Sequence, residues 1–176
     1  RLILGEVEML EIDLGTRRGK VAGRLKVQAP SAFTRLVLAP ALGGFRQQHP
    51  ELELEILSRD AFPDMIAENT DILVYVGALP DSTMVVRTLG SFPLITVAAP
   101  SYLATRGQPS TIGDLAAHDL IDVTSATSGR RLGWQFEIHG TRQLFTAEAS
   151  LSFESGEAAI AAAIAGAGIV QNISYA

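Results

Sequence analysis

Cysteine is absent from all 176 residues, which removes disulfides, thiolate nucleophiles and thiolate metal sites together. Positive charge is also scarce: 14 Lys and Arg stand against 19 Asp and Glu, a net charge of −5 and the wrong sign for a surface that must neutralise many phosphates. Only three histidines occur, His49, His118 and His139, and none has a second ligand at metal spacing, so no metal site is expected. Neither a Gly-x-Ser-x-Gly elbow nor a glycine-rich loop closing on Lys-Ser or Lys-Thr is present. The series Glu51, Glu53 and Glu55 alternates along a strand with one wet face and singles out no acid–base pair. No catalytic residue and no cofactor is therefore expected. No run is long and apolar enough to span a membrane and no signal-peptide pattern opens the chain, so a cytoplasmic setting without a membrane partner is expected.

What is present suits a globular protein: 47% of residues are hydrophobic and 19% charged, at a length that fits one domain or two small lobes sharing a hinge. Ile3, Val7, Leu10 and Leu14 form the seam of an amphipathic helix, either a surface helix or the tail of a longer dimerising one. Residues 15–23, with Arg17, Arg18 and Lys20, read as a solvated linker. From Gly23 short β runs alternate with helical runs, the pattern of an α/β domain with largely parallel sheets. Leu25, Val27 and Ala29 give the first strand, closed by Pro30 and Ser31. Pro40 is read at the start of a helix over 38–48 whose buried face carries Leu42 and Phe45. Residues 51–56 form a strand, a short helix follows Asp60 and Pro63, and a strand over 72–76 ends at Gly77. Extended runs are expected at 84–89 and 94–98. A second series then has a capping box at Thr111 and Asp114, a strand over 120–123, and a hairpin of 134–138 with 143–153 around His139 and Gly140. An alanine-rich helix runs from Ser155 to Ala167, and a strand begins at Ile169.

Polar residues stand where strands hand over to helices: Ser31 and Thr34, Asp60, and Ser155. In an open α/β sheet the crevice at the carboxyl ends of the strands takes ligands, and helix N-termini there favour small anions. Each of these residues also fits an ordinary helix cap.

The run GRLKVQAPSAFTRLVLAPAL from Gly23, FRQQHP from Phe45, ELEL from Glu51, residues 71–77, LPDS from Leu79, APSYL from Ala99, Asp114-Leu115 with His118, and GEA at Gly156 through GAGI at Gly166 keep an order and spacing. Together they resemble the effector-binding domain of LysR-type transcriptional regulators over residues 1–170. The resemblance implies an α/β fold of two Rossmann-like lobes with an interlobe cleft, similar to type 2 periplasmic binding proteins. It implies the end of a linker helix and linker in 1–22, regulatory lobe I over 23–96, regulatory lobe II over 97–168, and a strand in 169–176 returning to lobe I. The strand and helix that complete lobe I would lie beyond Ala176, so that lobe reads as truncated. The resemblance further implies a small-molecule effector, an organic acid, whose cleft residues by position are Ser31, Phe33, Thr34, Asp60, Gly77, Thr127, Phe153 and Ser155. DNA would be contacted only through an N-terminal winged helix-turn-helix ahead of Arg1. A homodimer or homotetramer is expected, helped by the seam and by the face around Leu42 and Phe45. Two departures are Tyr75, where relatives usually have Arg, and Gln171-Asn172 in place of an apolar ending. The rival reading is a solute-binding protein of a transporter, against which stand the helical seam and the missing signal peptide; a small enzyme on the same fold comes third.

Overall fold

The computed structural model describes residues 21–77, 79, 84–146 and 148–175. The seam from Ile3 to Leu14 and the basic linker up to Lys20 lie outside the described residues. The chain divides into two units, one made of residues up to 59 with 63–80, the other of 60–62 with 81 onward.

The first unit holds a three-stranded parallel sheet of β1 (Gly23–Ala29), β2 (Leu52–Ser58) and β3 (Ile72–Leu73), in the order β2-β1-β3. β1 is central, which is why Val27, Gln28 and Ala29 are buried. Helix α1 starts earlier than the sequence suggests: it is α-helical over Ser31–Phe33, widens to a π-turn over Thr34–Leu38, and is α-helical again over Ala39–Gln48. Pro40 explains the widening. A proline inside a helix has no N–H to give and crowds the carbonyl four residues back. Here the preceding turn is opened so that Ala39 N–H donates to the Thr34 carbonyl, five residues back. The expected burial of Leu42 and Phe45 is not found: Leu42 is half-buried and Phe45 is 39% exposed, its ring tilted on His49 at 4.7 Å. The helix expected after Asp60 is a single turn over 65–69, in which Asp64 accepts from Ala67 N and Glu68 N and Asn69 closes at φ 49°. β3 is two residues long where five were expected, although Val74 N still donates to the Gln28 carbonyl. No strand forms over 84–89, where Val85 and Leu89 are exposed and find no sheet to pack on.

The second unit is built on a four-stranded sheet, order β4-β9-β5-β8, of β4 (Leu94–Ala98), β5 (Leu120–Val123), β8 (Leu151–Phe153) and β9 (Ile169–Ile173). β5, β8 and β9 are parallel and β4 is antiparallel to β9. Period-two burial assigns the faces. Leu120 and Ile169 join Ala99, Tyr102, Leu115 and Trp134 in one cluster, while Ile121 and Val170 join Ala159 and Ala163 of helix α3 (Gly156–Ile164) in the other. Helix α2 (Pro100–Arg106) and a 3-10 turn (Gly113–Ala117) cover the first face. β6 (Trp134–Ile138) and β7 (Thr141–Phe145) form the expected hairpin, with positive φ at His139 and Gly140 as a tight two-residue turn demands. The second arm does not run on to 153; it breaks after Phe145, and β8 joins β5 instead.

The strand expected to return to the first lobe also differs. β9 lies between β4 and β5, with Ile169 and Val170 buried on opposite faces of the second sheet. A strand following α3 beside the parallel β5 is a standard crossover, and its two-sided burial holds it there. β4 pairs with β9 along its whole length, so the division falls near residue 80 where 96 was expected.

The capping box is present: the Asp114 carboxylate accepts from Ser110 N (2.9 Å) and Thr111 N (2.8 Å), and Thr111 Oγ1 accepts from Asp114 N (3.3 Å). These N–H donors, Thr111 first and then Ser110, hold the Asp114 carboxyl below its ordinary value. A group with a depressed folded-state pKa contributes stability that is complete above its unfolded value, about 4, and is lost as pH falls through the folded value. Thermal midpoints followed from pH 6 to 2 are expected to fall less steeply for Asp114→Asn than for the wild type; parallel curves would refute the assignment.

Candidate functional site

Because β1, β2 and β3 are parallel, their carboxyl ends share one edge of the first unit. Ser31, Phe33, Thr34 and Gly77 are found there. Pro30, in an extended conformation (φ −56°, ψ 145°), is the residue before the helix, and no side chain caps it. Ser31 is thus the first helical residue and Phe33 is half-buried. Thr34 is tied to the end of β1: its N–H donates to the Pro30 carbonyl (2.8 Å) and its hydroxyl to the Ala29 carbonyl (3.4 Å). Gly77 adopts φ +117°, which a side chain would strain.

The other four expected residues, Asp60, Thr127, Phe153 and Ser155, belong to the second unit, at the carboxyl edge of β5, β8 and β9. Thr124, just past β5, donates through N–H (2.8 Å) and hydroxyl (3.3 Å) to the Phe153 carbonyl. The loop that follows is knotted on Ser125, whose Oγ accepts from Thr127 N (3.3 Å) and Ser128 N (3.2 Å) and whose N–H donates to the Arg130 carbonyl (2.8 Å). Thr127 Oγ1 accepts from Phe62 N (3.0 Å), which brings the Asp60–Phe62 segment to this loop. Ser155 is the N-cap of α3, its Oγ accepting from Ala158 N (3.3 Å). The carboxyl terminus of β9 adds two residues here. Asn172 Nδ2 donates to the Gly156 carbonyl (2.9 Å), which fixes the start of α3. Half-buried Tyr175 stacks edge-on with Phe92 at 4.8 Å; burial, and next the Asp60 charge, push its phenol above the usual range.

Sequence reasoning missed the groups behind this edge. Asp122 is buried on β5; one carboxylate oxygen accepts from the Trp134 indole N–H (2.8 Å) and the other pairs with Arg131 (3.0 Å). A charged residue inside the apolar run Leu120-Ile121-Asp122-Val123 was the available signal, since a buried charge needs partners. The Gln171-Asn172 departure also has a role: the Gln171 amide bonds both Gln135 N–H (2.8 Å) and Gln135 C=O (2.9 Å), so one side chain mimics a strand and fastens the hairpin to β9.

Two shallow cavities lie at the opposite edge of the second sheet, an apolar one of about 150 Å³ along Val97–Pro100 with Ile160 and Ile164 and a mixed one of about 330 Å³ in which Thr96, Gln108, Ser110 and Thr111 join Leu103, Ile112, Phe136 and Ile169. Among the described residues no cluster of His, Asp and Glu could hold a metal, and no helix is long and apolar enough to cross a membrane. His49 rests on Phe45 and His118 Nδ1 on the Tyr102 hydroxyl (3.3 Å).

The family model described as the LysR substrate binding domain matches residues 18–171. The HTH-type transcriptional regulator YhjC of Escherichia coli (strain K12) is 30% identical over 151 residues, 86% of this chain and 50% of that protein. An HTH-type transcriptional repressor of Pseudomonas aeruginosa (strain UCBPP-PA14) is 27% identical over 176 residues, 100% of this chain and 56% of that protein. This chain thus spans about half the length of these relatives. Among solved structures, the regulatory domain of CrgA, a LysR-type transcriptional regulator from Neisseria meningitidis, superposes with a TM-score of 0.76 at 26% identity, over 88% of this chain and 74% of that one. With the model matched over most of its length and this fold shared, the chain belongs to the LysR substrate-binding domain family, whose α/β fold is of the two-lobe, type 2 periplasmic-binding-like class.

Proposed function

We propose that this chain is the effector-sensing part of a cytoplasmic LysR-type transcriptional regulator, that it binds a small organic acid, and that binding changes the geometry of a homodimer or homotetramer. DNA is contacted by a winged helix-turn-helix outside these residues, and the acidic charge balance supports leaving that task to another domain. The observation that carries the reading is the placement of Ser31 and Thr34 in one unit, and of Thr127 and Ser155 in the other, at carboxyl edges of parallel strands. Effector binding that favours one arrangement of subunits shifts the population without catalysis. Leu36, Val37 and Phe45 of α1, each 38–39% exposed, support self-association. Sedimentation of a monomer at high micromolar concentration would count against it.

The testing experiment is calorimetric titration with a panel of organic acids beside thermal melts. Losing a hydrogen bond to a charged ligand costs about 1.5–3 kcal/mol, so Ser31→Ala or Thr34→Ala is expected to weaken affinity about tenfold or more. Ser155 Oγ accepts in its cap, which leaves its own proton to donate, and Ser155→Ala is expected to cost about 1 kcal/mol of stability. Unchanged affinity in the first two variants with lowered melting in all three would reduce these hydroxyls to structural roles.

A further inference from the structure

We propose that Arg131 is the charged anchor for the ligand's carboxylate and that Asp122 is the positioning residue that holds it in place. The proposal rests on the organic-acid reading above and names the group that reading lacked, a guanidinium fixed at the edge with N–H donors for a carboxylate. Arg131 forms an antiparallel bridge with Thr124, and Leu132 N donates to the Val123 carbonyl, so the guanidinium is rooted at the end of β5, on the loop that carries Thr127. Thr124 in turn grips Phe153, two residues before Ser155.

The pair is asymmetric. The Asp122 side chain is 6% exposed and the Arg131 side chain 46%. The carboxylate is consumed inside, between the indole N–H and one guanidinium nitrogen. A guanidinium has five N–H donors in a rigid fork, and bonding Asp122 leaves most of them for a second carboxylate. What the ionic pair adds for binding is a guanidinium already fixed before the ligand arrives. Because the pair is neutral as a whole, it gives directed hydrogen bonds more than long-range attraction.

The test uses the 176-residue chain with sodium benzoate, succinate and acetate as probes and benzamide as an uncharged counterpart. Affinity is read by calorimetry, and the local response by the fluorescence of Trp134, the sole tryptophan. At least one carboxylate is expected to bind saturably and to shift Trp134 emission, with benzamide inert. Arg131→Ala is expected to weaken binding about ten- to hundredfold, with Arg131→Lys restoring only part, because an ammonium lacks the fork. Arg130→Ala, on the neighbouring exposed arginine, is expected to change little. Asp122→Asn is expected to weaken binding roughly tenfold, the size seen when a residue that orients a ligating group is lost. It is also expected to shrink the preference for benzoate over benzamide, a selectivity that a merely structural role would not touch. Arg131→Ala binding as the wild type does would overturn the anchor while leaving the organic-acid reading intact. Asp122→Asn with unaltered affinity and selectivity would overturn the positioning role. A wild-type chain that binds none of the three carboxylates would overturn both the anchor and the reading beneath it.

Discussion

Gly168→Ala is expected to be the most damaging small substitution in the chain. An added Cβ would stand 2.3 Å from the Asp119 carbonyl oxygen and 3.0 Å from its carbon, both backbone atoms that no rotamer change can move. The same carbonyl accepts from Ile169 N at 2.9 Å, so pushing it aside breaks the contact that starts β9 beside β5. The backbone at φ +153° adds conformational cost. Overpacking of this kind costs about 1–3 kcal/mol when side chains can yield, and about 3 kcal/mol or more is expected here because they cannot. For a protein of this length that is a fall of about 10 °C in thermal midpoint. A melt within about 2 °C of the wild type would show that the turn re-routes freely, contrary to the tight packing described.

Trp134→Ala is expected to cost at least as much, by two mechanisms that can be separated. The side chain is 3% exposed within the cluster of Leu115, Leu120 and Ile169, and removing a large buried aromatic leaves a cavity costing about 3–5 kcal/mol. It also strips the Asp122 carboxylate of its indole donor inside the protein. Trp134→Phe keeps most of the ring volume and loses only the N–H, so about 1–3 kcal/mol is expected for that variant. Denaturant titrations of both variants divide the loss between packing and hydrogen bond. If Trp134→Phe melts like the wild type, the bond to Asp122 adds no stability and the carboxylate is better solvated than its burial implies.

The contrast between what could and could not be read from the chain has a physical logic. Strands β4 and β5 and the capping box at Thr111 and Asp114 were legible to the residue because local pattern and tertiary packing agree there. The start of α1 was not, because Pro40 reads as a beginning and its accommodation by a π-turn is invisible to a 3.6-residue period. The fate of 143–153 was decided by sheet completion: β8 gains pairing with β5, which outweighs continuing the hairpin. Of the candidate site, the hydroxyls at strand ends were accessible through the resemblance and the rule for open sheets. Arg131 was not, because its importance comes from Asp122, a partner on another element that spacing alone does not connect.

The π-turn of α1 has an evolutionary consequence. A helix that stores one surplus residue is a place where chain length can change while the segments on either side stay put. Deleting one residue from Thr34–Leu38 together with Pro40→Ala is expected to restore an unbroken α-helix. Pro30 would still lead into the helix and His49 would still close it. Among relatives, a one-residue gap is therefore expected to occur here in those without a proline at position 40. The same deletion elsewhere in the helix would turn everything after it by about 100°, so this short stretch is where the protein can accept a length change without rebuilding its first unit.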